Sequence, residues 1–171
     1  NSTRFNTDPD DVSGSNETIN WRSAAMAHDS QFIHMLYDSY NEIDPANNSV
    51  SYLPWGWQVF LDTDKNNSTG YQIGNIGADY IIEGQALHRY TGLGTNWNWE
   101  SIGVADKHYA ANIAEIRFPR SLIGNPDSLR LVIRGNNAAV SGSLIDDYPD
   151  GLSDPSSSEQ FFKYEFTNGA Y

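Results

Sequence analysis

Short alternating runs punctuated by turn formers fill this chain, and helical periodicity is nearly absent. In Phe32–Tyr37, for example, Ile33, Met35 and Tyr37 alternate with Phe32, His34 and Leu36. Residues two apart share one face of a strand, so alternation of this kind specifies strands rather than helices. Both faces of this run are fairly apolar, which predicts a central position in a sheet. Comparable runs at Ile19–Ala27, Gln31–Tyr40, Trp55–Asp62, Asp79–Glu83, Leu87–Thr91, Trp97–Val104, Tyr109–Phe118, Leu129–Arg134 and Phe161–Phe166 are bounded by Gly, Asn, Asp and Pro clusters. That pattern predicts an all-β fold, an antiparallel β-sandwich or jelly roll. Glu83-Gly84-Gln85 reads as a tight hairpin. Pro119-Arg120-Ser121-Leu122-Ile123-Gly124 reads as one short helical turn, opened by Pro and closed by Gly. The stretches 1–14 and 146–158 are polar, acidic and rich in turn formers, and read as loops or tails. Residues 1–171 are read as a single domain, large enough for one buried core.

Within these strands stand two tryptophan pairs, Trp55-Gly56-Trp57 and Trp97-Asn98-Trp99. At a spacing of two, both rings of a pair share a face, which is then either sandwich core or an exposed aromatic platform. Pyranose rings stack on such platforms through their apolar C–H faces. Trp57 leads into Val59 and Leu61 on the same face and is expected in the core. Trp97 and Trp99 follow the Gly-rich turn Thr91-Gly92-Leu93-Gly94-Thr95 and are the leading platform candidates. Tyr90 and Trp55 are further candidates, with Asn98 and Glu100 as polar partners for sugar hydroxyls.

The formal net charge is −12, with 10 Lys and Arg against 22 Asp and Glu. No basic cluster offers itself to phosphate, so nucleic acid is not an expected partner, and an anionic membrane is disfavoured too. No apolar run approaches the length of a membrane span. The absence of cysteine excludes disulfides and thiolate chemistry. The chain opens on Asn1-Ser2-Thr3-Arg4 without an apolar segment and reads as a mature or excised piece of a longer protein.

Acidic residues concentrate in one loop. In Leu61-Asp62-Thr63-Asp64-Lys65-Asn66-Asn67-Ser68-Thr69-Gly70-Tyr71, oxygen donors at Asp62, Asp64, Asn66 and Ser68 recur at every second position. Calcium takes six to eight oxygen ligands, and this spacing resembles the first half of a calcium loop. The central Gly and terminal Glu of an EF-hand are missing, so the choice lies between a calcium loop of another kind and an Asx-rich turn. Asp8, Asp10 and Asp11, and Asp146, Asp147, Asp150 and Asp154, form two weaker calcium candidates.

Catalytic signatures are lacking. There is no Gly-x-Ser-x-Gly elbow, no His-Glu-x-x-His and no phosphate loop. The Glu-x-Asp-x-x-Glu strand of family 16 jelly-roll hydrolases is absent, as are the strand motifs of jelly-roll alginate lyases. His28, His34, His88 and His108 are scattered singly, without a zinc-ligand spacing.

Several stretches taken together resemble the family 9-like carbohydrate-binding modules. These are Trp57-Gln58-Val59-Phe60-Leu61-Asp62-Thr63-Asp64 followed by Gly70-Tyr71, then Gly77-Ala78-Asp79-Tyr80-Ile81-Ile82-Glu83, then Tyr90-Thr91-Gly92 with Trp97-Asn98-Trp99. Ala27-His28-Asp29 before Phe32–Tyr37, and the run from Ala114 through Phe118-Pro119 to Gly124, extend the likeness over Trp21 to Arg134. The opening Asp-Gly motif of that family has no counterpart here. The resemblance implies a DOMON-like β-sandwich appended to a secreted, marine bacterial enzyme that degrades polysaccharide. It also implies a non-catalytic, extracellular, monomeric module that holds its parent catalytic domain on glycan, with a structural Ca2+ favoured at Asp62 and Asp64. The alternatives are a small jelly-roll glycan hydrolase or lyase, a calcium-binding structural or adhesive domain, and a haem-binding DOMON domain using Met26, Met35 or a histidine.

Overall fold

A computed structural model describes residues 2–10, 19–42, 57–136, 145–150 and 160–167. Trp55, Asp11 and Asp154 lie outside the described residues. In chain order the strands are β1 (Ser2–Arg4), β2 (Trp21–His28), β3 (Phe32–Ser39), β4 (Trp57–Asp62), β5 (Tyr71–Ile73), β6 (Ile76–Ala78) and β7 (Tyr80–Glu83). There follow β8 (Ala86–Tyr90), β9 (Trp99–Val104), β10 (Asp106–Ala110), β11 (Ile113–Pro119), β12 (Ser128–Asn136), β13 (Ile145–Tyr148) and β14 (Phe162–Glu165). Two antiparallel sheets pack as a sandwich. One has five strands in the order β1-β2-β3-β11-β10; the other has seven, in the order β13-β12-β4-β7-β8-β9 with β14 also on β12. β5 and β6 make a separate hairpin.

Alternation decides what goes between the sheets. Ile33, Met35 and Tyr37 of β3 point inward and are buried, and β3 is the middle strand of its sheet as its two apolar faces predict. Trp57, Val59 and Leu61 of β4 meet them from the other sheet. The centre of the core is a ring cluster. Tyr37 and Trp57 stand 4.7 Å apart edge to face, and Trp21 lies 6.0 Å from Trp57. Trp21 and Trp57 are therefore fold, not function.

β4 is buried on both faces, and the second face positions the site. Its outward residues Gln58, Phe60 and Asp62 would meet solvent in a plain sandwich. Here the β5–β6 hairpin folds back over the sheet, and Ile73, Ile76 and Ala78 cover Phe60, Ile81 and Val132 to form a second, smaller core. The hairpin tip is fixed by a hydrogen bond from the Asn75 amide to the Gln160 side chain.

The structure departs from the sequence reading in three places. The run Tyr109–Phe118 is not one strand. It breaks at Ala111, whose φ of 54° is left-handed, and folds into the β10–β11 hairpin with Ala110 opposite Ile113. Ser2–Arg4 and Ile145–Tyr148, expected within loops or tails, are strands, paired to β2 and β12. Their polarity is overridden because a neighbouring strand supplies the ladder. The hairpin Tyr71–Ala78 was also missed, its strands being three residues each. The predicted helical turn is present as a 3-10 turn at Arg120–Ile123, closed by Gly124 in the left-handed conformation.

Candidate functional site

The outer face of the seven-stranded sheet carries a cluster of aromatic rings at its β8–β9 edge. Tyr90 and Trp99 are direct partners across β8 and β9, so they share a face, and their rings lie 4.9 Å apart. Trp97, just before β9, packs edge to face on Trp99 at 5.5 Å. Tyr71 of the hairpin joins all three. Its ring stands 5.9 Å from Tyr90, 5.2 Å from Trp97 and 5.6 Å from Trp99. Buried Phe60 lies beneath, 5.9 Å from Tyr71 and 6.3 Å from Trp97. Edge-to-face contacts at these separations are the favourable arrangement for aromatic quadrupoles and hold the cluster rigid.

The rings are not equivalent. Trp97 is 51 % exposed, whereas Trp99 is partly buried against the hairpin core. The Trp99 indole N–H is enclosed without an acceptor. Trp97 is thus the ring open to solvent and Trp99 the ring packed beneath it. Leu93, 83 % exposed, extends the apolar surface on the turn beside them. That turn is tight for a physical reason. A Cβ on Gly92 would sit 2.7 Å from the Tyr90 hydroxyl and 2.8 Å from the Asn96 carbonyl oxygen, so only glycine lets the turn close over the ring. The Tyr90 hydroxyl donates to the Gly94 carbonyl at 3.1 Å, and the Thr91 and Asn98 backbones pair at 2.9 Å.

One expected polar partner faces elsewhere. Glu100 is paired across the strands with Arg89, one step out of phase with Trp99 and Tyr90, and therefore stands on the opposite face of the sheet. Its carboxylate is engaged by the Arg89 guanidinium at 2.6 Å. Asn98 is exposed beside the rings. Tyr71 was not singled out as a ligand candidate. Its signal was its place directly after the acidic loop, which becomes meaningful only once the hairpin is known to fold back.

The acidic loop lies under the same hairpin. Asp62, at the end of β4, and Asp64 before the hairpin are joined by Asp79 after it, with carboxylate oxygens of all three within 4.8 Å of one another. This group can hold a metal ion. Asp79 accepts from the Thr63 amide at 2.8 Å, the Thr63 hydroxyl at 2.7 Å and the Asp64 amide at 3.2 Å. Asp64 accepts from the Asn66 amide and the Thr69 hydroxyl, both at 2.8 Å. Asp62 is wholly buried. Its Oδ1 accepts from the Lys65 amide at 2.6 Å, while its Oδ2 has no hydrogen-bond donor. The Arg130 guanidinium stands 3.7 Å from that oxygen. Burial lifts the Asp62 carboxyl from the usual carboxylate range to about 6, against the pull of the Lys65 amide and Arg130.

Of the four sequence-derived metal ligands, the structure brings Asp62 and Asp64 together. The Asn66 side-chain oxygen accepts from the Ser68 amide at 3.0 Å, an Asx turn within the same loop. Asp79, which completes this carboxylate group, was not among the sequence candidates. A second group, Asp8, Asp146 and Asp150, gathers carboxylates from the two weaker candidates and can likewise hold a metal ion. Asp146 also accepts from the Trp21 amide at 2.6 Å, and Asp147 is paired with Arg134.

The methionine and histidine candidates are dispersed. Met26 and Met35 are buried in the core, and the Met35 sulfur accepts from the Tyr37 hydroxyl. His28 and the Tyr164 hydroxyl lie 2.7 Å apart. His34 and His108 line an open groove of about 390 Å³ on the outer face of the five-stranded sheet, floored by Ala25, Ala27 and Leu36. No helix among the described residues is long and apolar enough to cross a membrane. The chain matches no family model, no curated protein and no solved structure.

Proposed function

We propose that this domain is a non-catalytic carbohydrate-binding module whose glycan stacks on Trp97, braced by Trp99, Tyr90 and Tyr71. The observation that carries the reading is an indole half exposed on a rigid aromatic base. An isolated surface tryptophan would be mobile, and a core tryptophan would be covered. Trp97 is neither, because its edge contacts with Tyr71 and Trp99 fix the ring while leaving it open to solvent. Asn98 and the tyrosine hydroxyls supply hydrogen-bonding groups around it. A shallow site of this type binds in the micromolar to millimolar range, about 4 to 8 kcal/mol.

The same reading takes in the likeness to family 9-like modules, with an appended polysaccharide-degrading enzyme, a secreted location and a monomeric state as its corollaries. Calcium is the ion we assign to Asp62, Asp64 and Asp79. The donors are all oxygen, and calcium–oxygen bonds of about 2.3 to 2.6 Å put two ligands of one ion up to about 5 Å apart, which suits the spacing of these carboxylates. A hydrolase or lyase is less well supported. Asp62, the carboxyl raised toward neutrality, is wholly buried and out of reach of a glycosidic oxygen.

The test is affinity electrophoresis of the domain through gels containing separate neutral and anionic polysaccharides. Retardation by at least one glycan, with no sugar released from it, is expected. A folded sample that runs unretarded in every gel would sink the proposal.

A further inference from the structure

The acidic group and the aromatic platform are two ends of one element. The β5–β6 hairpin leaves the sheet after Asp62 and Asp64 and returns to it at Asp79. Both stems therefore converge on the carboxylates that lie within 4.8 Å of one another. Between the stems sits Tyr71, the ring in contact with Phe60, Tyr90, Trp97 and Trp99.

Backbone bonds extend the link. The Gln72 amide donates to the Gly94 carbonyl at 2.9 Å, tying the hairpin to the turn before Trp97. The Asp79 carbonyl accepts from the Tyr90 amide at 2.8 Å, and the Asp79 amide donates to the Leu61 carbonyl at 2.9 Å. Asp79 thus touches the acidic loop with its side chain and the platform strand with its backbone. The loop and the hairpin are also in tight contact. A Cβ on Gly77 would fall 1.9 Å from the Thr69 carbonyl oxygen and 2.6 Å from that of Asn66.

A cluster of carboxylates alone does not define a site. Here Asp62 adds a separate observation, since its side chain is wholly buried and its Oδ2 meets no hydrogen-bond donor. A buried carboxylate oxygen without a donor is costly; the Arg130 guanidinium, 3.7 Å away, offsets its charge without a hydrogen bond, and a directly bound cation would satisfy the oxygen itself.

On this basis, and resting on the platform reading above, we infer that a calcium ion held by Asp62, Asp64 and Asp79 clamps the two stems of the hairpin and so sets the glycan affinity of Trp97. With the clamp closed, Tyr71 is held against Trp97 and Trp99. Without it, three carboxylates repel one another where the hairpin joins the sheet, and the Trp97 turn loses its anchor. Linkage requires reciprocity: glycan must raise calcium affinity by the same factor by which calcium raises glycan affinity.

The experiment uses the whole chain, stripped with chelator, desalted, and supplied with calcium chloride or, separately, magnesium chloride. Melting temperature, tryptophan emission and gel retardation are read on the wild type, on Asp64→Asn and on Trp97→Phe. Asp64 is exposed, so its variant folds. Calcium is expected to raise the melting temperature and shift the emission of the wild type. Asp64→Asn should lose both responses, and Trp97→Phe should keep the thermal response while its emission response falls to the part that Trp99 reports. Retardation by the retained glycan should weaken about fivefold or more in chelator. A thermal response to calcium with unchanged emission and unchanged retardation would overturn the clamp while leaving the platform standing. No thermal response at millimolar calcium would overturn the ion site itself. If no polysaccharide retards the protein, the platform reading has failed. The emission response then decides alone: present, it supports the clamp; absent, it overturns it.

Discussion

Asp62→Asn is expected to stabilise the protein in chelator and to lose most or all of that advantage in calcium. In chelator the wild-type protein keeps a carboxyl in a fully buried place, with its pKa raised from 3.8 to about 6. A raised carboxyl means that the folded state holds the proton more tightly than the unfolded state. Stability therefore falls as pH rises through that window, and the loss is complete above about pH 6. Two pKa units correspond to about 3 kcal/mol. Asparagine keeps an oxygen for the Lys65 amide and removes the charge, but forfeits the attraction of Arg130 at 3.7 Å. The net gain for Asp62→Asn in chelator at pH 7 is then about 1 to 3 kcal/mol, or roughly 2 to 10 °C in melting temperature. In calcium at about a hundred times its dissociation constant, the wild type instead gains about 2.7 kcal/mol, and the variant gains little. The assay is thermal unfolding of both proteins at pH 5 and pH 7, in chelator and in calcium. The reasoning is refuted if the variant is less stable than the wild type in chelator at pH 7, or if their difference does not grow between pH 5 and pH 7.

The remaining expectations concern the rings and the hairpin. Trp97→Ala should abolish retardation by the retained glycan and cost about 1 to 2 kcal/mol, leaving the protein folded, since half of the ring is already in solvent while the rest packs on Tyr71 and Trp99. Trp99→Ala should cost about 2 kcal/mol or more by denaturant titration as well as binding, because that ring is packed on Tyr71 and Tyr90. Glu100→Gln should leave retardation unchanged, its side chain being on the far face with Arg89; a large loss would mean that the β8–β9 register is wrong. Gly77→Ala should destabilise the protein by about 1 to 3 kcal/mol and blunt its thermal response to calcium, as the added methyl meets the Thr69 and Asn66 backbone.

Alternation carried the sequence reading of the fold a long way. β3 and β4 were legible because Ile33, Met35, Tyr37 and Trp57, Val59, Leu61 keep strict period two, and the core that they build follows from it. The nearness of the Trp97 and Trp99 rings was legible as well, although Trp97 lies just before β9 and meets Trp99 edge to face rather than through strict alternation. What stayed hidden depends on register between segments. Glu100 is next to Trp99 in the chain yet faces away, and only its pairing with Arg89 reveals that. Asp79 is far from Asp62 in the chain and reaches it because a hairpin is inserted between two neighbouring strands. The donors at Asn66 and Ser68 have ligand-like spacing, and local Asx chemistry produces the same spacing, as the bond from the Ser68 amide to the Asn66 side chain shows. Short strands were hidden too. The three-residue runs of β1, β5 and β6 carry too little alternation to stand out, and they are held by their partners rather than by their own pattern.

The central claim is that glycan sits on Trp97, and the most direct measurement follows the indole N–H signals of the five tryptophans by 15N–1H NMR during titration with the retarding glycan. The Trp97 signal should shift with saturation, Trp99 should follow more weakly, and buried Trp21 and Trp57 should stay where they are. Saturable binding that leaves the Trp97 signal unmoved would contradict the claim.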